Sequence, residues 1–165
     1  MNAIVSYAVV AAIVAISQCD VRWSAKYLRD DGEVGLVVNS RFAYYVDPFF
    51  NPPVESVVGS SIKRCDERIY ICAELFDLVY TVPQMPVPPS NWDVGGAQFK
   101  AVGKSPDGIG YVVSATYRSR SYTYTYDHRR GLLSMAIPGP VPEKALDTYH
   151  LKGKEGFLSS RFFVR

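Results

Sequence analysis

Residues 109–137 read IGYVVSATYRSRSYTYTYDHRRGLLSMAI, and this stretch decides the fold. Residues 122–126 (YTYTY) alternate tyrosine with threonine without a break, the period of a strand whose two faces differ. Residues 109–117 (IGYVVSATY) and 132–137 (LLSMAI) are β-rich runs on either side. Between them, residues 118–121 and 127–131 carry the polar residues and the glycine of reversals. Three strands and two short turns make a meander. Turns about every eight to twelve residues are the pattern of an antiparallel sandwich or barrel.

The pattern extends upstream. Ser105-Pro106-Asp107-Gly108 places Pro and Gly where a type I turn takes them. Residues 92–102 read as a strand containing Gly95-Gly96. Residues 83–90 (PQMPVPPS) exclude a helix or an interior strand and read as a crossing loop between two halves of one fold, or a linker. Residues 68–82 (RIYICAELFDLVYTV) are too long for one ordinary strand, so a break is expected near Glu74 or Asp77. Residues 33–39, 41–46 and 54–62 are further strand candidates, with Pro48, Pro52 and Pro53 before the last. Trp23 and Tyr27, four apart, predict a short helix over 20–31. Residues 143–149 suit one helical turn, and 151–165 a final hairpin turning near Lys154-Glu155-Gly156. The expectation is one mainly-β domain over 19–165, an antiparallel sandwich or partly closed barrel with one or two short helices.

Composition agrees. The 165 residues are 48% hydrophobic and 21% charged, a globular balance. Twelve tyrosines suit half-buried strands. A net charge of +2 gives no support for nucleic acid as a partner.

Residues 3–16 (AIVSYAVVAAIVAI) form an apolar run of signal-peptide length, too short for a comfortable membrane span. Ala15-Ile16-Ser17 suits cleavage after Ser17. Ile16-Ser17-Gln18-Cys19 resembles a bacterial lipobox, which would lipidate Cys19, although Gln18 departs from the small residue of that pattern. Residues 1–18 are thus expected to be a signal peptide or lipoprotein leader. Export to the periplasm, the envelope or the medium follows, with membrane contact only through this N-terminus. Two observations favour other readings. The n-region has no Lys or Arg, whereas Arg22, Lys26 and Arg29 follow the run. An uncleaved anchor would then leave the domain cytoplasmic, and a buried N-terminal element would place it in the cytosol.

Three cysteines, Cys19, Cys65 and Cys72, are an odd count for an exported chain. Lipidation or removal of Cys19 would leave Cys65 and Cys72 as a pair. An extended strand would hold their Cα atoms roughly 23 Å apart, beyond disulfide reach. A bridge therefore needs a reversal near Asp66-Glu67-Arg68. No CxxC spacing and no nearby His supports a metal, and no motif calls for a cofactor.

Catalytic signatures are weak. There is no GxSxG elbow. Asp127-His128 are adjacent, and adjacent side chains on a strand point apart. Cys72 with His128 or His150 is conceivable only as a discontinuous site. Asp30, Asp31 and Glu33, or Asp66 and Glu67, are paired carboxylates of the kind glycosidases use, though charged turns explain them as well. Gly95-Gly96 and residues 103–110 lack a phosphate-loop Lys-Ser/Thr and read as bulge and turn glycines.

The best candidate for binding is the Tyr/Arg face. Tyr122, Tyr124 and Tyr126 share one side of their strand, and Arg118, Arg120, Arg129 and Arg130 flank it. Aromatic rings stack on sugars and planar groups, and Arg adds directed hydrogen bonds. The competing reading is cross-strand packing of the tyrosines beneath exposed arginines. The expected function is a non-catalytic binding module for a protein or glycan of the cell envelope, an inhibitor or immunity protein being one form. An envelope hydrolase and a structural or assembly protein are the alternatives. Residues 65–83 and 122–158 resemble small exported bacterial proteins in general look. The resemblance names no family and carries no activity.

Overall fold

The structure is a computed structural model that describes residues 24–46, 59–139 and 146–160. The sequence meander is its centre: β9 (Ala97–Lys104), β10 (Tyr111–Tyr117), β11 (Arg120–Asp127) and β12 (Gly131–Pro138) pair antiparallel in order. β8 (Asn91–Val94) adds one edge. On the other side β13 (Leu146–Leu151) pairs with β12 and also with β1 (Ala25–Arg29), so distant parts of the chain meet inside one sheet. β2 (Gly35–Val38), β3 (Phe42–Val46) and β4 (Gly59–Ser61) complete ten strands. The sheet does not close into a barrel.

A second sheet, β5 (Lys63–Arg64), β6 (Tyr70–Leu75) and β7 (Leu78–Pro83), packs against one face of it. Every residue of β7 is buried. Tyr80 donates its hydroxyl to the Ala136 carbonyl of β12 at 2.7 Å. From β3, near one edge of the sheet, Tyr45 reaches the Pro138 carbonyl and packs its ring on Phe76 of the β6–β7 turn. The expected break in the long run falls at Phe76-Asp77, both with positive φ. The two-sheet, antiparallel architecture is that of a β sandwich.

Four expectations change. Among the described residues there is no helix. The predicted helix over 20–31 contains β1, and 20–23 lie outside the described residues. Ala25 and Tyr27 are buried with Lys26 exposed between them, so the local pattern is alternation, fixed by pairing on both sides. The helical turn over 143–149 is replaced by β13 for the same reason, its first three residues lying outside the described set. The final hairpin is not seen among the described residues: after Leu151, residues 152–160 run in turns that bury Phe157 and Leu158, and 161–165 lie outside the described set. Gly95-Gly96 form the β8–β9 turn rather than a point within one strand. The leader with Cys19, and residues 54–58, lie outside the described residues.

Candidate binding surface

The tyrosine face of β11 points inward. Tyr122, Tyr124 and Tyr126 are all at least 96% buried, so their rings are not a stacking platform. The hydroxyls of Tyr122 and Tyr124 serve β7 instead. β7 is the edge of its sheet, and its outward backbone groups have no neighbouring strand. Val79 N–H donates to the Tyr122 hydroxyl at 3.0 Å, which donates back to the Val79 carbonyl. Thr81 N–H donates to the Tyr124 hydroxyl at 3.3 Å, which donates to the Thr81 carbonyl at 2.9 Å. Trp92 Nε1 donates to Thr81 Oγ1 at 2.8 Å. Residues two apart on a strand are spaced roughly 6.7 Å, so alternate tyrosines match alternate residues of the edge they serve. The row acts as a surrogate strand. The next rung by the same step is Pro83, which has no N–H. There the Tyr126 hydroxyl is buried with no partner among the described residues. Burial holds the Tyr122 and Tyr124 hydroxyls well above the ordinary phenol range.

The arginines separate. Arg118 sits in the β10–β11 turn, 4.8 Å over the Tyr117 ring, and faces Glu74 at 3.7 Å and Asp77 at 3.9 Å. Arg120 is exposed at that same end. Arg130 lies at the opposite end, where its Nε donates to the Lys154 carbonyl at 2.8 Å. The six predicted residues are therefore not one surface.

Catalytic candidates do not assemble either. Cys72 is fully buried and bonded to Cys65, so it offers no thiol. His150 Nε2 lies 2.6 Å from Asp30 Oδ1, with both side chains more than half exposed. His128 Nδ1 is 3.7 Å from Asp127. Asp31 and Asp147 pair with Arg29, and Asp66 pairs with Arg64 while accepting the Cys72 N–H at 2.8 Å. Among the described residues no group of three metal-ligating side chains occurs.

The sequence reading missed the end of the molecule beyond Pro83. The Cys65–Cys72 bridge, with its Cα atoms 4.8 Å apart, closes the loop between β5 and β6. Glu67 and Tyr70 exchange N–H···O bonds of 3.1 and 2.7 Å, leaving Arg68 and Ile69 as a two-residue tip. Residues 66–69 are all exposed. The loop is tied to its neighbour by Gln84 N–H donating to the Ile69 carbonyl at 2.7 Å. The other end of that proline-rich loop is tied to β9 by Ala101 N–H and the Ser90 carbonyl at 3.0 Å. The β9–β10 turn follows, closed by Ser105 and Gly110. The Ser105 hydroxyl, then the Ile109 N–H and nearby Arg130, hold the Asp107 carboxyl below its usual range. Ile69 on the β5–β6 loop, Val87 on the proline-rich loop, Val102 on β9 and Ile109 in the β9–β10 turn are 44–67% exposed. Phe42, the remaining exposed large hydrophobic among the described residues, stands apart on β3. The sequence signal was present in the isoleucines and valines flanking turn residues, but nothing in it says which turns share an end.

Comparison of the chain with family models, curated proteins and solved structures finds no match. The chemistry of this end is read from its own residues. The disulfide is compatible with an oxidising compartment.

Proposed function

We propose that the protein is exported to the cell envelope and works there as a non-catalytic binding module for a protein partner. One observation carries this: four aliphatic side chains stand exposed on neighbouring segments, the β5–β6 loop, the proline-rich loop that Gln84 ties to it, β9 that Ser90 ties to that loop, and the β9–β10 turn. Singly exposed apolar residues need no explanation, but a gathered set marks a contact surface. Aliphatic rather than aromatic exposure favours protein over glycan, since sugars stack on rings. The bridged Cys65–Cys72 loop supports export.

Two measurements test the proposal. Mass spectrometry of the protein from the cells that natively make it should show a chain lacking the leader, with Cys65 and Cys72 bridged. A full-length, reduced chain in the cytosol overturns export. A photoreactive side chain placed in turn at Val87, Val102, Ile109 and Arg120 tests the surface. Polypeptide adducts are expected from the first three and none from Arg120. Adducts from Arg120 alone, or none at all, overturn the assigned surface.

A further inference from the structure

Among the described residues, four large side chains other than glycine, Asp or Ser hold a positive φ: Arg68, Phe76, Arg118 and Leu158. That backbone is unfavourable for L-residues with a full side chain. In three of the four, the side chain has an evident task. Phe76 packs on Tyr45, Leu158 is fully buried, and Arg118 lies over Tyr117 and faces Glu74 and Asp77. Arg68 has none. It sits with φ 47 at the first of two loop-tip positions, where favoured hairpin turns take Gly, Asn or Asp. Its side chain is exposed and makes no hydrogen bond or ion pair among the described residues. Its neighbours are engaged: Asp66 is bound by Arg64 and the Cys72 N–H, and Ile69 by its carbonyl to Gln84.

The loop is also rigid. A disulfide, the paired Glu67–Tyr70 bonds, the Cys65 N–H to the Cys72 carbonyl at 3.0 Å and the Gln84 tie all act within eight residues. Beneath it, Gly95 leaves room for the bridge, since a Cβ there would lie 3.0 Å from Cys65 Sγ. A loop fixed before contact avoids the ordering cost of binding. Backbone strain kept at an otherwise idle side chain points to a use outside the molecule.

We infer that the Cys65–Cys72 loop is an insertion element. It enters a concave site of the protein partner, with Arg68 as its anchor in a carboxylate-bearing recess and Ile69 against the apolar rim. This rests on the binding reading above and names the part of that surface that recognises the partner. Arg is among the residues that dominate binding energy in such buried contacts.

The test uses the photoreactive side chain at Val87, on the neighbouring loop, in the full chain in its native cells. Arg68→Gly suits the backbone and removes the anchor. Its melting temperature should equal or exceed that of the parent, while the Val87 adduct falls at least tenfold. Arg68→Lys, which keeps the charge, should retain part of the adduct. An undiminished adduct in Arg68→Gly overturns the insertion element and leaves the wider surface standing. So does a lower melting temperature, which would give Arg68 a structural task. Absence of adducts from every position in the parent instead overturns the binding reading itself.

Discussion

Tyr122, Tyr124 and Tyr126 occupy equivalent places in a sequence pattern and unequal places in the hydrogen-bond ladder. Tyr124→Phe strips Thr81 of partners for a buried N–H and C=O, which costs about 1–3 kcal/mol. Tyr122→Phe does the same to Val79. Tyr126→Phe removes a hydroxyl that has no partner among the described residues, so it should change stability by less than about 0.5 kcal/mol or raise it slightly. Urea unfolding of the three variants checks the order. A uniform loss across all three would show that ring packing, not the hydroxyl, matters at these sites. Gly95→Ala tests a different constraint, combining φ +60 with contacts of 3.0 and 3.2 Å to the two disulfide sulfurs. It should cost about 1–3 kcal/mol, and the loss should shrink when both cysteines are replaced by serine.

Strand alternation was legible because it is local. The meander of β9–β12 could be drawn from YTYTY and its flanking turns. The errors fell where pairing partners are remote. Residues 25–29 have the spacing for either helix or strand, and the choice is made by β2 and β13 on its two sides. The binding face failed for a related reason: alternation shows that tyrosines share a side, never which side meets the core. The disulfide stood between these cases. Distance alone demanded a reversal, and turn residues supplied it at Glu67–Tyr70. Closing so short a loop is worth about 2–3 kcal/mol in the chain-entropy account. Double replacement of Cys65 and Cys72 by serine should lower stability by that much while circular dichroism keeps its β signature. Loss of the β signature would mean that the bridge is required for folding rather than a brace on a finished hairpin.

The whole molecule responds to pH through its buried phenols. Burial pushes Tyr149 up to about 12, and it raises Tyr27, Tyr80 and Tyr124 as well. In the unfolded chain these groups ionise near 10. A raised folded value means that the native state holds its protons longer. The stability these groups contribute is therefore complete below pH 10 and is lost as pH climbs from 10 toward 12 and beyond. Tyrosinate absorbance should thus appear in a cooperative step together with loss of β circular dichroism. A gradual titration of all twelve tyrosines centred near 10 in the still-folded protein would contradict the buried ladder.

The place of β1 has a consequence in time. Its Tyr27 hydroxyl accepts from the Phe157 N–H at 2.7 Å, across 130 positions of sequence, and donates to the Leu132 carbonyl at 2.9 Å. β1 finds its second neighbour only in β13. The seam cannot close on a growing chain until β13 and Phe157 have been delivered, and contacts this distant make folding slow. Chains stopped before Leu146 should be cut by protease throughout the region from β1 to β3, whereas the complete protein resists. Until that pairing is made, β1 to β3 hang from the rest of the sheet as an untied flap, while the meander from β8 to β12 has no need to wait.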